Sequence, residues 1–93
     1  MNLGNTIVQL REQKGIRQRQ LAKDLDISQT YLSQIENNWK IPNMSLLEKI
    51  SAELSTPLPF LFYLSLDEKD ISKDMLVHFK KLDPLIKDYI ADQ

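Results

Sequence analysis

The strongest constraint in this chain is a spacing. Two stretches of helical apolar period, QRQLAKDL at residues 18–25 and ISQTYLSQIENN at 27–38, follow each other so closely that the turn between their helices has about three residues, 26–28. A turn that short makes the two helices cross closely, so the side chain at the crossing must be small and the turn must accept unusual backbone angles. Ala22 is the small residue, and Asp26 occupies the turn as a residue type that tolerates left-handed backbone. Ile27, Leu32 and Ile35 are the apolar contacts that would hold the second helix at a fixed angle against the first.

At about 100° per residue the second of these helices divides into two faces. Tyr31, Leu32 and Ile35 form one stripe, and Gln29, Thr30, Ser33, Gln34 and Asn37 fill the opposite side. Ser28 precedes the first turn and is placed to accept from one of its free backbone N–H groups. A face that only meets water normally carries long charged residues, whereas Thr, Ser and Asn are mediocre helix formers. Amide and hydroxyl groups both donate and accept, and the edge of a base in a DNA major groove offers both kinds of partner. A merely solvated surface is the plain alternative. The arrangement as a whole has helix-turn-helix geometry, in which the second helix can enter a major groove.

Elsewhere apolar residues also recur at helical spacing, and no segment alternates with the period of a strand, which predicts an all-α fold. A first helix spans about 5–14, with Ile7 and Leu10 inward and Gly15 as a left-handed stop. Asn43 can cap a fourth helix over about 44–54, where Leu47, Ile50 and Leu54 repeat. Pro57 and Pro59 suit only the first turn of a fifth helix, about 58–64. Five helices thus make a domain over 1–65, followed by a helical extension over 66–93. In that extension LDEKD is a connector, a helix starts at Asp70 or Ser72 and runs to about Lys81, and Asp83-Pro84 restarts another. Its apolar positions Met75, Leu76, Phe79, Leu82, Leu85, Ile86, Tyr89 and Ile90 are expected to be buried, either by folding back or by pairing with a second subunit.

With 93 residues and 42% hydrophobic content the chain can hold one small core and a short appendage. Twelve basic residues against 13 acidic ones, with a pI near 5.7, weigh mildly against a nucleic-acid binder. The distribution softens that objection: residues 11–40 hold six basic and four acidic side chains, whereas 66–93 hold five and seven. The absence of cysteine suits a cytoplasmic location and excludes thiol metal sites. The N-terminus has no signal-peptide pattern. The apolar run PLPFLFYLSL, about ten residues, is half of the roughly 20 that cross a bilayer. Two glycines, scattered carboxylates and no nucleophile beside a base argue against an enzyme, and nothing calls for a cofactor. His78, the one histidine, reads as a surface residue rather than a metal ligand.

Four groups of residues in order, LREQKG at 10–15, QRQLA at 18–22, YLSQIEN at 31–37, and Pro42, Leu47, Ile50, Leu54, Leu61 and Phe62, carry a resemblance. From Gly4 to about Phe62, two thirds of the chain, the sequence resembles the lambda-repressor-like, Cro/cI-type helix-turn-helix family, also called the xenobiotic-response-element family. The resemblance implies a five-helix domain that binds double-stranded DNA, usually as a homodimer on a two-fold symmetric operator. It implies base reading by Gln29, Thr30 and Gln34, with Ser33 on the same face. Gln18, by the same resemblance, holds a DNA phosphate and braces Gln29. Asn37 matches a backbone-contacting position, and Arg17, Arg19, Ser28 and Lys40 surround the same surface. Matching positions also imply a structural ion pair between Arg11 and Glu36.

Three departures stand out: Arg17 replaces the usual cap of the second helix, Asp26 replaces a turn glycine, and Asn38-Trp39 replaces a glycine followed by a basic residue. Trp39 has two readings, packing on the domain or lying along the sugar-phosphate backbone. The dimer interface is expected from Phe60 and Tyr63 on the fifth helix or from Leu85, Ile86, Tyr89 and Ile90 in the extension. These features predict a sequence-specific transcriptional regulator, a repressor rather than an activator. The rival expectation is an antitoxin-type module whose C-terminal helices hold a protein partner and whose DNA binding is autoregulatory.

Overall fold

A computed structural model describes residues 1–92; residue 93, the last of the predicted extension, lies outside the described residues. Six α-helices follow one another: α1 (Leu3–Gln13), α2 (Gln18–Asp24), α3 (Gln29–Glu36), α4 (Met44–Glu53), α5 (Leu58–Ser65) and α6 (Lys73–Ala91). A single 3-10 turn, Glu68–Asp70, precedes α6, and there is no strand among the described residues. The all-α prediction from periodicity is therefore correct.

Side chains start the helices where the sequence places capping residues. Ser28 Oγ accepts from Tyr31 N at 3.0 Å, and Asn43 Oδ1 accepts from Leu46 N at 2.8 Å. The first helix begins two residues earlier than predicted, because Asn2 caps it by accepting from Asn5 N at 3.2 Å. Arg17 precedes α2 without a side-chain cap.

Four consecutive helices end in the same way. After α1, α2, α3 and α4 the residue past the C-cap is left-handed: Gly15 (φ 69°), Asp26 (57°), Asn38 (61°) and Ser55 (50°). In each case the next N–H reaches back to the third-last helical carbonyl: Ile16 to Arg11, Ile27 to Ala22, Trp39 to Gln34 and Thr56 to Ser51, at 2.8–3.0 Å. This is the Schellman closure, and it satisfies carbonyls that a helix end leaves free. Only one of the four positions is glycine, so three carry the steric cost of a Cβ in that region.

The core is a single cluster that includes Ile7, Leu21, Leu32, Ile35, Ile50, Leu54 and Leu61, all at 0–1% exposure. Ala22 is buried at 2%, as the short turn demands. Gly4 brings the start of α1 against the end of α3. A Cβ there would lie 2.6 Å from the Ile35 carbonyl oxygen and closer still to that of Glu36, so the contact exists only because Gly4 lacks one. The same end of α1 is tied to α5 by Asn2 N donating to Ser65 O at 2.7 Å and Thr6 Oγ1 to Leu64 O at 3.3 Å.

The C-terminal extension differs from its prediction in one respect. It is one helix rather than two, because α6 runs through Pro84 without a restart. Pro84 and Lys80 are both exposed, so water can take the hydrogen bond that the proline removes. Its apolar residues divide: Leu76, Phe79, Ile86 and Ile90 are half-buried within the chain, whereas Met75, Leu82, Leu85 and Tyr89 are 50–66% exposed. The helix is docked by its aromatic contacts with α5. Phe60 meets Tyr89 edge-on at 5.4 Å, Tyr63 stacks at a tilt on Phe79 at 5.2 Å, and Tyr63 Oη donates to Asp83 at 3.0 Å. Ser72 stands at the N-cap of α6 but makes no side-chain cap bond, and Asp70 instead accepts from Asp67 N at 2.8 Å.

Candidate nucleic-acid interface

The two-helix unit at the centre of the sequence presents α3 with its apolar stripe inward and its uncharged polar face outward. Leu32 and Ile35 are fully buried and Tyr31 half-buried, while Gln29, Thr30 and Asn37 are exposed and Ser33 and Gln34 half-exposed. Gln18, Gln29, Thr30, Ser33, Gln34 and Trp39 line an open groove of about 350 Å³. A larger cavity of about 520 Å³ lies between α1 and the end of α6, lined by Thr6, Gln9, Gln13, Lys87 and Ile90 among others; no side chain of α2 or α3 reaches it.

Behind the polar face runs a connected set of side chains. Arg11 Nε donates to Glu36 Oε2 at 2.9 Å and Arg11 Nη2 to Oε1 at 3.1 Å, a two-pronged ion pair with 11% and 4% of the respective side chains exposed. Arg11 Nη1 also donates to Ile16 O at 3.0 Å, tying the α1–α2 loop to the pair. Gln18 Nε2 donates to Glu36 Oε1 at 2.8 Å, and Gln18 Oε1 accepts from Gln29 Nε2 at 3.2 Å. No buried side-chain nitrogen or oxygen among the described residues is left without a partner. Glu36 is thus held by three donors, a number that makes a buried carboxylate tolerable.

The remaining polar side chains lie around the groove. Ser28 accepts from Tyr31 N with its oxygen, so its hydroxyl hydrogen is still available to a ligand. Asn37 turns back on its own helix, donating through Nδ2 to Ser33 O at 2.8 Å and Oγ at 3.4 Å, which leaves its carbonyl oxygen outward. Arg17, Arg19 and Lys40 are exposed and make no ion pair among the described residues. Of the expected dimer residues, Phe60, Tyr63, Ile86 and Ile90 are half-buried, Phe60 and Tyr63 through the aromatic contacts with α6, while Leu85 and Tyr89 stay exposed.

Asn38 and Trp39, the two residues that follow Asn37, stand outside the polar face itself. Trp39, the one tryptophan of the chain, does not pack on the domain: it is 76% exposed beside the groove, with Ile41 at 89% exposure two residues on. Asn38 accepts from Gly4 N at 2.9 Å and donates to Asn2 Oδ1 at 2.8 Å, linking the end of α3 to the start of α1. The exposure of Trp39 removes the first of its two readings, packing on the domain. The tie made by Asn38 was missed in the sequence, and nothing local signals it, because its partners lie more than 30 residues away.

The Helix-turn-helix family model matches residues 7–61. The chain is 38% identical over 69 residues to the HTH-type transcriptional regulator SinR of Bacillus licheniformis, covering 73% of this chain and 59% of that protein. It is 30% identical over 87 residues to the immunity repressor protein of Bacillus phage phi105, covering 81% and 60%. It is 38% identical over 63 residues to the control protein C.MunI of a Mycoplasma species, covering 67% and 85%. The chain therefore spans about three fifths of the length of the first two relatives. With a family model over more than half of its length and these relatives beside it, the chain belongs to the Cro/cI-type helix-turn-helix family.

Proposed function

We propose that this protein is a sequence-specific DNA-binding transcriptional regulator, and specifically a repressor, that lays α3 in the major groove of a two-fold symmetric operator. The observation that carries the reading is the outward face of α3, where Gln29, Thr30, Ser33 and Gln34 border one groove without a charged residue among them. Side chains that both donate and accept match base edges, which offer both kinds of partner. Gln29, Thr30, Ser33 and Gln34 are the base readers in this reading. Gln18, Arg17, Arg19, Ser28, Asn37 and Lys40 hold the sugar-phosphate backbone on either side.

The names of the relatives, a transcriptional regulator and an immunity repressor, support regulation and repression over the antitoxin alternative. A homodimer supplies the second α3 that a symmetric site requires, with the two half-sites about 34 Å apart. Among the described residues no helix is long and apolar enough to cross a membrane, and the DNA is the partner. Selection of bound sites from random duplex DNA tests the proposal. Enrichment of a palindrome supports it, and retention of duplex without any sequence preference refutes it.

A further inference from the structure

Trp39 stands where α3 gives way to the loop before α4, and it is at once exposed and fixed. Its backbone is held from both sides. Trp39 N donates to Gln34 O at 2.8 Å, and Lys40 N reaches the same carbonyl at 3.3 Å. Asn38, just before, is tied to Gly4 N and Asn2 Oδ1, and Pro42, just beyond, is buried. Trp39, Lys40 and Ile41 are therefore strung between two anchored points, yet all three face solvent, Trp39 at 76% exposure and Ile41 at 89%. The indole also lines the groove that Gln18, Gln29, Thr30, Ser33 and Gln34 share.

We infer that Trp39 lies flat against a deoxyribose at the edge of the groove and supplies DNA affinity that salt does not screen; the inference rests on the DNA-binding function proposed above. An indole has two apolar faces and a single N–H donor, with no acceptor. The sugar-phosphate wall is its complement, with apolar C–H groups on the ring and acceptor oxygens on either side. A base edge matches it less well, because it mixes donors with acceptors. Lys40, exposed and next in sequence, suits the phosphate beside that sugar. The charge of the chain makes such a contact matter. A net charge of −1, with only six basic against four acidic residues over 11–40, limits what attraction to phosphates contributes. Covering one face of an indole releases no counterions, and a fixed backbone leaves little to be ordered on binding.

The test uses the full chain, a duplex taken from the random-DNA selection, and mobility shifts at several salt concentrations. Trp39→Ala should weaken binding by about tenfold or more, and by the same factor at each salt, so that the log–log slope is unchanged. Trp39→Lys should recover affinity at low salt but steepen the slope by about 0.9, so that the recovery is lost at high salt. Both variants should melt with the wild type, because so little of Trp39 is covered by the fold. A Trp39→Ala protein that binds as the wild type does, or whose deficit shrinks as salt rises, overturns the inference. Replacing the thymines of the duplex by deoxyuridine should leave the effect of Trp39→Ala intact. If that replacement abolishes the effect, the indole meets a thymine methyl and the assignment to the sugar falls.

The one tryptophan of the chain also reports on itself. Free protein should be quenched readily by acrylamide, and adding the duplex should protect it. Duplex that is retained while quenching stays unchanged overturns the inference and leaves DNA binding standing. A protein that retains no duplex at all removes the proposed function, and the inference with it. Protection that appears without DNA as the protein is concentrated assigns the indole to a contact between copies and overturns the inference too.

Discussion

Arg11 and Glu36 come from helices 25 residues apart in sequence and meet through two hydrogen bonds of 2.9 and 3.1 Å, with only 4% of the glutamate side chain exposed. A pair this buried gives little net stability when compared with an apolar substitute, but removing one partner strands the other. Arg11→Met would leave Glu36 with Gln18 alone and would also release the Ile16 carbonyl. The expected loss is about 3 kcal/mol, well above the ~0–1 kcal/mol of an exposed pair. Urea unfolding of the two proteins measures it; equal midpoints would mean that the pair is not structural.

The second prediction separates reading from holding. Gln29→Ala should relax preference at one base pair in each half-site, with a discrimination loss of roughly 1–3 kcal/mol. Arg17→Ala or Arg19→Ala should instead weaken binding to every sequence and flatten the salt dependence, by about 0.9 in log–log slope for each phosphate that is no longer neutralised. Binding isotherms at several salt concentrations on matched and mismatched duplexes distinguish the two. A uniform loss of affinity in Gln29→Ala would withdraw its base-reading role.

The left-handed helix ends provide a third. Ser55 has φ 50° and is exposed, so Ser55→Gly removes the Cβ penalty and should stabilise the fold by about 1 kcal/mol. Asn38 has φ 61°, but its side chain bonds Gly4 N and Asn2. Asn38→Gly therefore trades a similar backbone gain for the loss of hydrogen bonds worth about 0.5–1.5 kcal/mol each, and should be neutral or destabilising. Thermal melts that rank the two variants the other way would contradict this account.

These positions also mark what sequence alone can reveal. Ser28, Asn43 and Gly15 act on their own neighbours, so residue type and position were enough to read the ends of α1, α3 and α4. Asp26 was legible for the same reason, because a short turn demands a left-handed residue wherever the chain folds. The Gln18–Glu36 and Asn38–Gly4 bonds are different: they depend on how whole helices are placed, and periodicity carries no information about them. The tail was misread through a local rule. Proline usually ends a helix, yet Pro84 sits on an exposed side where its missing hydrogen bond can be replaced by solvent. Its apolar spacing was real, but spacing alone did not say which half of the stripe the chain itself would cover.

The fourth prediction concerns Tyr63. Burial against α6, with the hydrogen bond to Asp83 and the negative charge of that carboxylate adding to it, pushes its hydroxyl up to about 12. The protonated form is therefore favoured in the folded protein. Its contribution to stability is complete below the ordinary tyrosine value near 10 and is lost as pH rises from about 10 to 12. Absorbance at 295 nm should show one of the three tyrosines titrating late. Tyr63→Phe should remove that late step, and three coincident titrations in the intact protein would count against the contact.

The fifth prediction assigns the dimer. Phe60 and Tyr63 of α5 are already engaged by α6 of the same chain, and Ile86 and Ile90 are turned half inward, so these four are poorly placed to meet a second copy. Along one side of α6 stand Met75, Leu82, Leu85 and Tyr89, spaced by seven, three and four residues and 50–66% exposed. That spacing is the seam of two packed helices, in which each apolar residue enters a gap on the facing helix. Exposed apolar stripes of this kind usually mark an interface, and a second α6 matches the stripe by its own symmetry. Leu82→Glu with Leu85→Glu places two charges in the seam without touching the half-buried face that holds α6 on α5. The variant should be monomeric by light scattering at micromolar concentration. It should also bind a single half-site as well as the wild type does, while losing its advantage on the two-fold site. A variant that remains a dimer would free α6 from this role and return the interface to α5, with α6 displaced from Phe60 and Tyr63 to expose them.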